Sequence, residues 1–261
     1  MMKFKVIIFF ILYGISAISE AQTLKAFLYT ANFNSPDNKS YIETYLSFDV
    51  NSVHLIEDEN KKYYGELDIY IEILEDGNLI YNDHYSLKSP YFKDSTFNNL
   101  LFIDQHRIAI PNGQYSLSIK VKDIHYSSEV LEHKEQITME FEENKLAFSD
   151  ITLIEKYTKT INKNKLSKSG YDLTPYVSNF FPPTENTLSF YFEIYNADKR
   201  FPSANRYLLN TYIETFETNV PLFDFTKSKR MDAKEIQTSL LSFPIEKLPT
   251  GNYNLVCEIK D

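Results

Sequence analysis

Apolar and polar residues alternate with period two over much of this chain. Tyr115, Leu117, Ile119 and Val121 fall on one face of an extended segment, with Ser116, Ser118, Lys120 and Lys122 on the other. Successive side chains of a strand point to opposite faces, so this is the pattern of a strand with one face in a core. Ile42, Thr44, Leu46, Phe48 and Val50 alternate in the same way. The pattern predicts strands over about 24–31, 42–50, 67–74, 79–87, 100–110, 115–123 and 134–141, then near 187–196, 206–217, 236–246 and 253–260. Exposed loops are expected at Ile56–Tyr64 and Asp198–Ser203. Residues 232–241 also read as one short helix that Pro244 would end.

Two segments repeat. Ile110-Pro111-Asn112-Gly113-Gln114-Tyr115-Ser116-Leu117 returns as Leu248-Pro249-Thr250-Gly251-Asn252-Tyr253-Asn254-Leu255. Pro presets φ and Gly permits a positive φ, so each copy opens with a turn. A turn followed by a Tyr that starts an amphipathic strand is the arrangement of a tyrosine corner, which gives Tyr115 and Tyr253 a structural role. Leu67-Asp68-Ile69-Tyr70-Ile71-Glu72-Ile73 similarly matches Leu188-Ser189-Phe190-Tyr191-Phe192-Glu193-Ile194, placing Glu72 and Glu193 at equivalent positions on the polar sheet face. The two pairs differ in spacing, which implies a longer insertion in the second copy. Together they predict an all-β chain of two tandem immunoglobulin-like β-sandwich domains, residues 22–143 and 144–261, divided at Glu142-Glu143-Asn144.

The Tyr115 strand is followed by another near 134–141, whereas the Tyr253 strand runs to Asp261 with no successor. The second domain is therefore expected to lack its last strand. Three readings stand at this point: the chain is a fragment of a longer protein, a partner donates the strand, or the strand assignment is shifted.

Lys3 and Lys5 precede a thirteen-residue apolar run from Val6 to Ile18. As a helix it would rise about 20 Å, short of a hydrocarbon core of about 30 Å. Small side chains at Ser19 and Ala21 before Gln22 suit a signal-peptidase site. The sequence thus predicts a signal peptide over 1–21 and export to the periplasm, the cell surface or the medium, with no stable membrane span after cleavage. Cys257 is the only cysteine, so no internal disulfide can form.

Leu146-Ala147-Phe148-Ser149-Asp150-Ile151, the Leu188–Asn196 segment and the Leu248–Leu255 segment resemble the front region of GWxTD-domain proteins, exported proteins of bacterial envelopes. The resemblance implies tandem β-domains, an envelope location and an interaction role rather than a reaction. The family's helical C-terminal domain carries a Gly-Trp-x-Thr-Asp motif. This chain contains no Trp, so the resemblance implies that it would correspond to the N-terminal β-region alone.

The formal net charge of −9 argues against nucleic acid as a partner, because phosphate contacts need clustered Lys and Arg. One cluster interrupts the acidic background: Lys156, Lys159, Lys163, Lys165 and Lys168, followed by Tyr171, Tyr176, Phe180 and Phe181. It could meet an acidic partner or lipid phosphates, or form a solvated loop. None of His54, His84, His106, His125 and His133 stands in metal-ligand spacing with another His or a Cys. Cys257 alternates into the core face, where a thiol is inert. No nucleophile elbow or glycine-rich phosphate loop is present, and only six glycines occur. The sequence therefore predicts no catalytic, cofactor-binding or metal-binding residue. The expected function is a non-catalytic exported envelope module for protein interaction or structure, with a protein partner bound by strand addition at the second domain. The alternative is a secreted carbohydrate-binding protein or hydrolase accessory domain.

Overall fold

The computed structural model describes residues 24–35, 37, 39–93, 100–126, 129–178, 180–203 and 205–260. The expected signal peptide lies outside them. The described chain is nearly all antiparallel β structure, in two sandwiches. The first contains β1 (Ala26–Asn34), β2 (Ser40–Asp49), β3 (Leu55–Glu57), β4 (Tyr63–Glu75), β5 (Asn78–Lys88), β6 (Leu101–Ala109), β7 (Gly113–Asp123) and β8 (Val130–Met139). One sheet has the order β1-β2-β6; the facing sheet runs β4-β7-β8, with β3 and β5 beside β4. The second sandwich contains β9 (Ala147–Phe148), β10 (Thr152–Lys159), β11 (Ser167–Lys168), β12 (Tyr171–Pro175), β13 (Thr187–Tyr195), β14 (Arg206–Thr215), β15 (Pro221–Asp232), β16 (Ile236–Pro244) and β17 (Tyr253–Lys260). Its sheets have the orders β11-β12-β10-β13-β16, with β9 also on β13, and β15-β14-β17.

Each sandwich closes on the alternating faces predicted from sequence. Leu67, Ile69, Ile71 and Ile73 of β4 meet Leu117, Ile119 and Val121 of β7 in the first core, and all are buried. Leu188, Phe190, Phe192 and Ile194 of β13 build the second core with Leu209 and Ile213 of β14. Both tyrosine corners form. The Tyr115 hydroxyl donates to the carbonyl of Pro111 (3.0 Å) and that of Tyr253 to the carbonyl of Pro249 (2.9 Å), four residues upstream in each case.

The corners align β7 with β17, hence β4 with β14 and β5 with β15, because β4 pairs with β5 and β7 as β14 pairs with β15 and β17. This corrects the second sequence repeat. Leu67–Ile73 lies in β4, but Leu188–Ile194 lies in β13, which pairs with β16 in the opposite sheet. The counterpart of β13 is β2, which pairs with β6. Alternating strands share one periodicity wherever they sit, so a short apolar match does not tell the two sheets apart. The match that respects the pairing is Tyr41-Ile42-Glu43-Thr44-Tyr45 with Tyr191-Phe192-Glu193-Ile194-Tyr195. Glu193 therefore corresponds to buried Glu43, not to Glu72, which pairs with Lys120 at the surface (3.6 Å).

Other boundaries also move. Residues 232–241 hold no helix: β15 ends at Asp232 and β16 starts at Ile236. The expected Ile56–Tyr64 loop shrinks to a turn between β3 and β4, and the Asp198–Ser203 loop includes a helical turn, α1 (Ala197–Arg200). β15, and the strands β10 to β12, were not expected as such from the alternation. Among the described residues β17 pairs with β14 alone, whereas β7 is paired on both sides, with β4 and β8. Leu255, Cys257 and Ile259 of β17 are accordingly only half-buried. No helix among the described residues is long and apolar enough to cross a membrane.

Candidate functional site

The outer face of β2 in the first sandwich packs against the outer face of β13 in the second. A small apolar cluster of Ala31, Phe33, Tyr45, Ile154, Leu173 and Tyr191 joins them. Backbone groups cross the junction as well. Asn32 N donates to Asp150 Oδ2 (2.8 Å), Asp150 N to the carbonyl of Asn32 (3.1 Å), and Asn34 N to the Tyr195 hydroxyl (3.0 Å).

At the centre stand the two repeated glutamates. Glu43 is fully buried; it accepts from Arg107 Nε (2.6 Å) and from the Tyr45 hydroxyl, and Lys168 Nζ lies 3.1 Å from its Oε1. Glu193 accepts from the hydroxyls of Tyr191 (2.6 Å) and Tyr195 (2.7 Å), with Lys168 Nζ at 4.0 Å. The register explains Arg107, because β2–β6 pairing sets it directly opposite Glu43. Lys168 Nζ also lies over the ring of Phe33, with the centroids of Tyr41 and Tyr191 at 5.3 and 5.5 Å. Burial lowers the Lys168 ammonium to about 8, with Glu43 and Glu193 acting in the opposite sense. Burial and then the neighbouring glutamate push the Tyr45, Tyr191 and Tyr195 hydroxyls well above their ordinary value.

Two carboxylates and two cations make the cluster neutral. An uncompensated charge here would carry a desolvation penalty of several kcal/mol. The cavity beside it measures about 10 Å³, room for roughly one water, so the cluster is a fastening rather than a pocket for substrate.

The five lysines singled out in sequence separate. Lys156, Lys159 and Lys163 are exposed. Lys165 reaches Asp104 of the first sandwich (3.5 Å), and Lys168 carries the buried ammonium. Arg107 Nη2 also donates to the carbonyl of Ser167 (3.3 Å). Residues 165–168 therefore strap the second sandwich onto β6 of the first. Glu43 and Arg107 were not singled out in sequence; the Tyr-x-Glu-x-Tyr repeat was the signal that could have found the first.

Burial raises the Cys257 thiol to about 12. Among the described residues no group of three His, Cys, Asp or Glu side chains could hold a metal ion. A larger cavity of about 560 Å³ lies in the second sandwich, where β15 and β16 form the neighbouring edges of the two sheets. No family model matches the chain, and comparison with curated proteins finds no relative.

Proposed function

We propose that this chain is a non-catalytic exported envelope protein in which two immunoglobulin-like sandwiches, fastened in fixed relation, present a sheet edge to a protein partner. The observation that carries the reading is the one-sided pairing of β17. Its counterpart β7 is covered by β8, while β17 offers its outer edge among the described residues. An exposed edge is a template for another strand, and strand addition is a known recognition mode. The two tyrosine corners support the immunoglobulin-like assignment. The apolar leader and the resemblance to GWxTD-domain proteins support the envelope address.

A photo-crosslinking residue at Glu258 of β17, compared with one at Thr226 of β15, tests the reading in envelope extracts. One adduct of defined mass at Glu258, absent from Thr226, is expected. No adduct at Glu258, or the same adducts at both positions, overturns it.

A further inference from the structure

The two sandwiches treat one corresponding place differently. In the first, the inner faces of edge strands β5 and β6 meet and fill the gap between the sheets. The Tyr85 hydroxyl donates to Asp104 Oδ2 (2.6 Å), the Tyr85 ring stacks on His106 (centroids 4.6 Å apart), and His106 Nδ1 lies 3.7 Å from Asp83. The register carries each position across. Asp83 and Tyr85 face Ile71 and Ile69; Lys227 and Lys229 face Thr211 and Leu209. His106 faces Thr44 of β2, and Gln237 faces Ile194 of β13. The second sandwich thus has Lys229 for Tyr85 and Gln237 for His106. The gap stays open as the cavity of about 560 Å³.

Its lining is divided. Leu209, Met231 and Leu241 give apolar wall, and Lys227 and Lys229 give positive charge. These lysines stand on the inner face of β15, between buried Phe225 and Met231, where alternation calls for apolar residues. Lys227 Nζ donates to the carbonyl of Ser242, which confirms that it points across to β16. Two further lining residues, Thr211 and Ser239, are 1% and 6% exposed, and their hydroxyls have no hydrogen-bond partner among the described residues. A buried hydroxyl left unpaired is unfavourable, and both line the cavity where a guest would meet them. The far end of the cavity reaches Ser169 and Tyr191, whose hydroxyls are 2.8 Å apart.

We propose that this cavity binds a small organic carboxylate with an apolar body, the carboxylate at Lys229 and the body against Leu209, Met231 and Leu241. An inorganic anion would leave the apolar wall unmatched, and an uncharged apolar guest would forgo the contact with Lys229, an exposed lysine at the rim of the cavity. The proposal stands apart from the partner reading, since the cavity and the β17 edge are at different strands.

Titration calorimetry on the full chain tests it with octanoate, 1-octanol and inorganic phosphate as probes. Octanoate should bind, 1-octanol at least tenfold more weakly, and phosphate not measurably. Lys229→Met should weaken octanoate at least tenfold. The double variant Lys229→Tyr, Gln237→His places the first sandwich's filling in the second and should abolish binding while its circular dichroism and melting temperature show it folded. No octanoate binding, equal binding of octanoate and 1-octanol, or full binding by the folded double variant overturns the proposal.

Discussion

Lys168 holds its charge only because Glu43 and Glu193 offset its burial. Substituting Lys168→Met leaves two buried carboxylates facing one guanidinium. Because the fold nonetheless favours the uncharged side chain at this position, Lys168→Met should be no less stable than wild type in urea denaturation at pH 7. The pH dependence is more specific. The ammonium titrates at about 8 in the fold and at 10.5 ordinarily, so the folded state releases this proton first. Below pH 8 both states hold the proton and the burial penalty is fully present. As pH rises from 8 towards 10.5, the unfolded chain binds more protons than the fold, and stability rises by roughly 3 kcal/mol in total. The buried tyrosines act oppositely, because unfolded tyrosine ionises from about pH 10 while Tyr45, Tyr191 and Tyr195 stay protonated. Stability should therefore climb above pH 8 and turn over near ~pH 10. In Lys168→Met the climb should vanish while the loss at higher pH remains.

At the scale of elements, the tyrosine corner is a test of the repeat. Each hydroxyl satisfies one carbonyl of its own turn, a bond worth about 0.5–1.5 kcal/mol. Tyr115→Phe and Tyr253→Phe should each lose about that much in chemical denaturation. The loss for Tyr115 should be the larger, since Tyr115 is 1% exposed whereas Tyr253 is only half-buried. What was legible in sequence follows the same physics. β7 and β17 were found because a Pro-x-Gly-x-Tyr turn and a regular alternation specify a corner locally. β15 was missed because Lys227 and Lys229 occupy inward positions, and a strand with charge on its core face has no apolar stripe to read. β13 was found as a strand but matched to the wrong partner, since sheet membership is decided by non-local pairing. The cluster around Glu43 was hidden for a related reason. A glutamate flanked by tyrosines looks like an ordinary polar face until another sandwich covers it.

At the scale of the whole molecule, the question is whether the sandwiches are two bodies or one. Domains joined by a small polar interface move relative to each other by default. Here the junction combines an apolar cluster, hydrogen bonds from the Asn32 and Asp150 backbone amides, and a neutral set of four charges, of which Glu43, Glu193 and Lys168 are buried and Arg107 is partly exposed. The charges fix geometry more than they add stability. Apolar contacts alone would tolerate sliding, whereas Glu43 can satisfy Arg107, Lys168 and Tyr45 together in few relative positions of the sandwiches. The strap at residues 165–168 adds a lever, because its contacts with Asp104 and Arg107 hold a hairpin of the second sandwich on the first. Unfolding of one sandwich would expose the other's share of the apolar junction to water and break the Lys168–Glu43 contact across it. The full chain should therefore unfold in a single transition, with calorimetric and van't Hoff enthalpies equal. Replacing both cations, Arg107→Met with Lys168→Met, sets Glu43 and Glu193 against each other without a counter-ion. That variant should separate into two transitions while keeping far-ultraviolet circular dichroism close to wild type at low temperature. Two transitions already present in the wild-type chain would show that the junction does not couple the sandwiches, and that the edge of β17 is presented by an independently moving body.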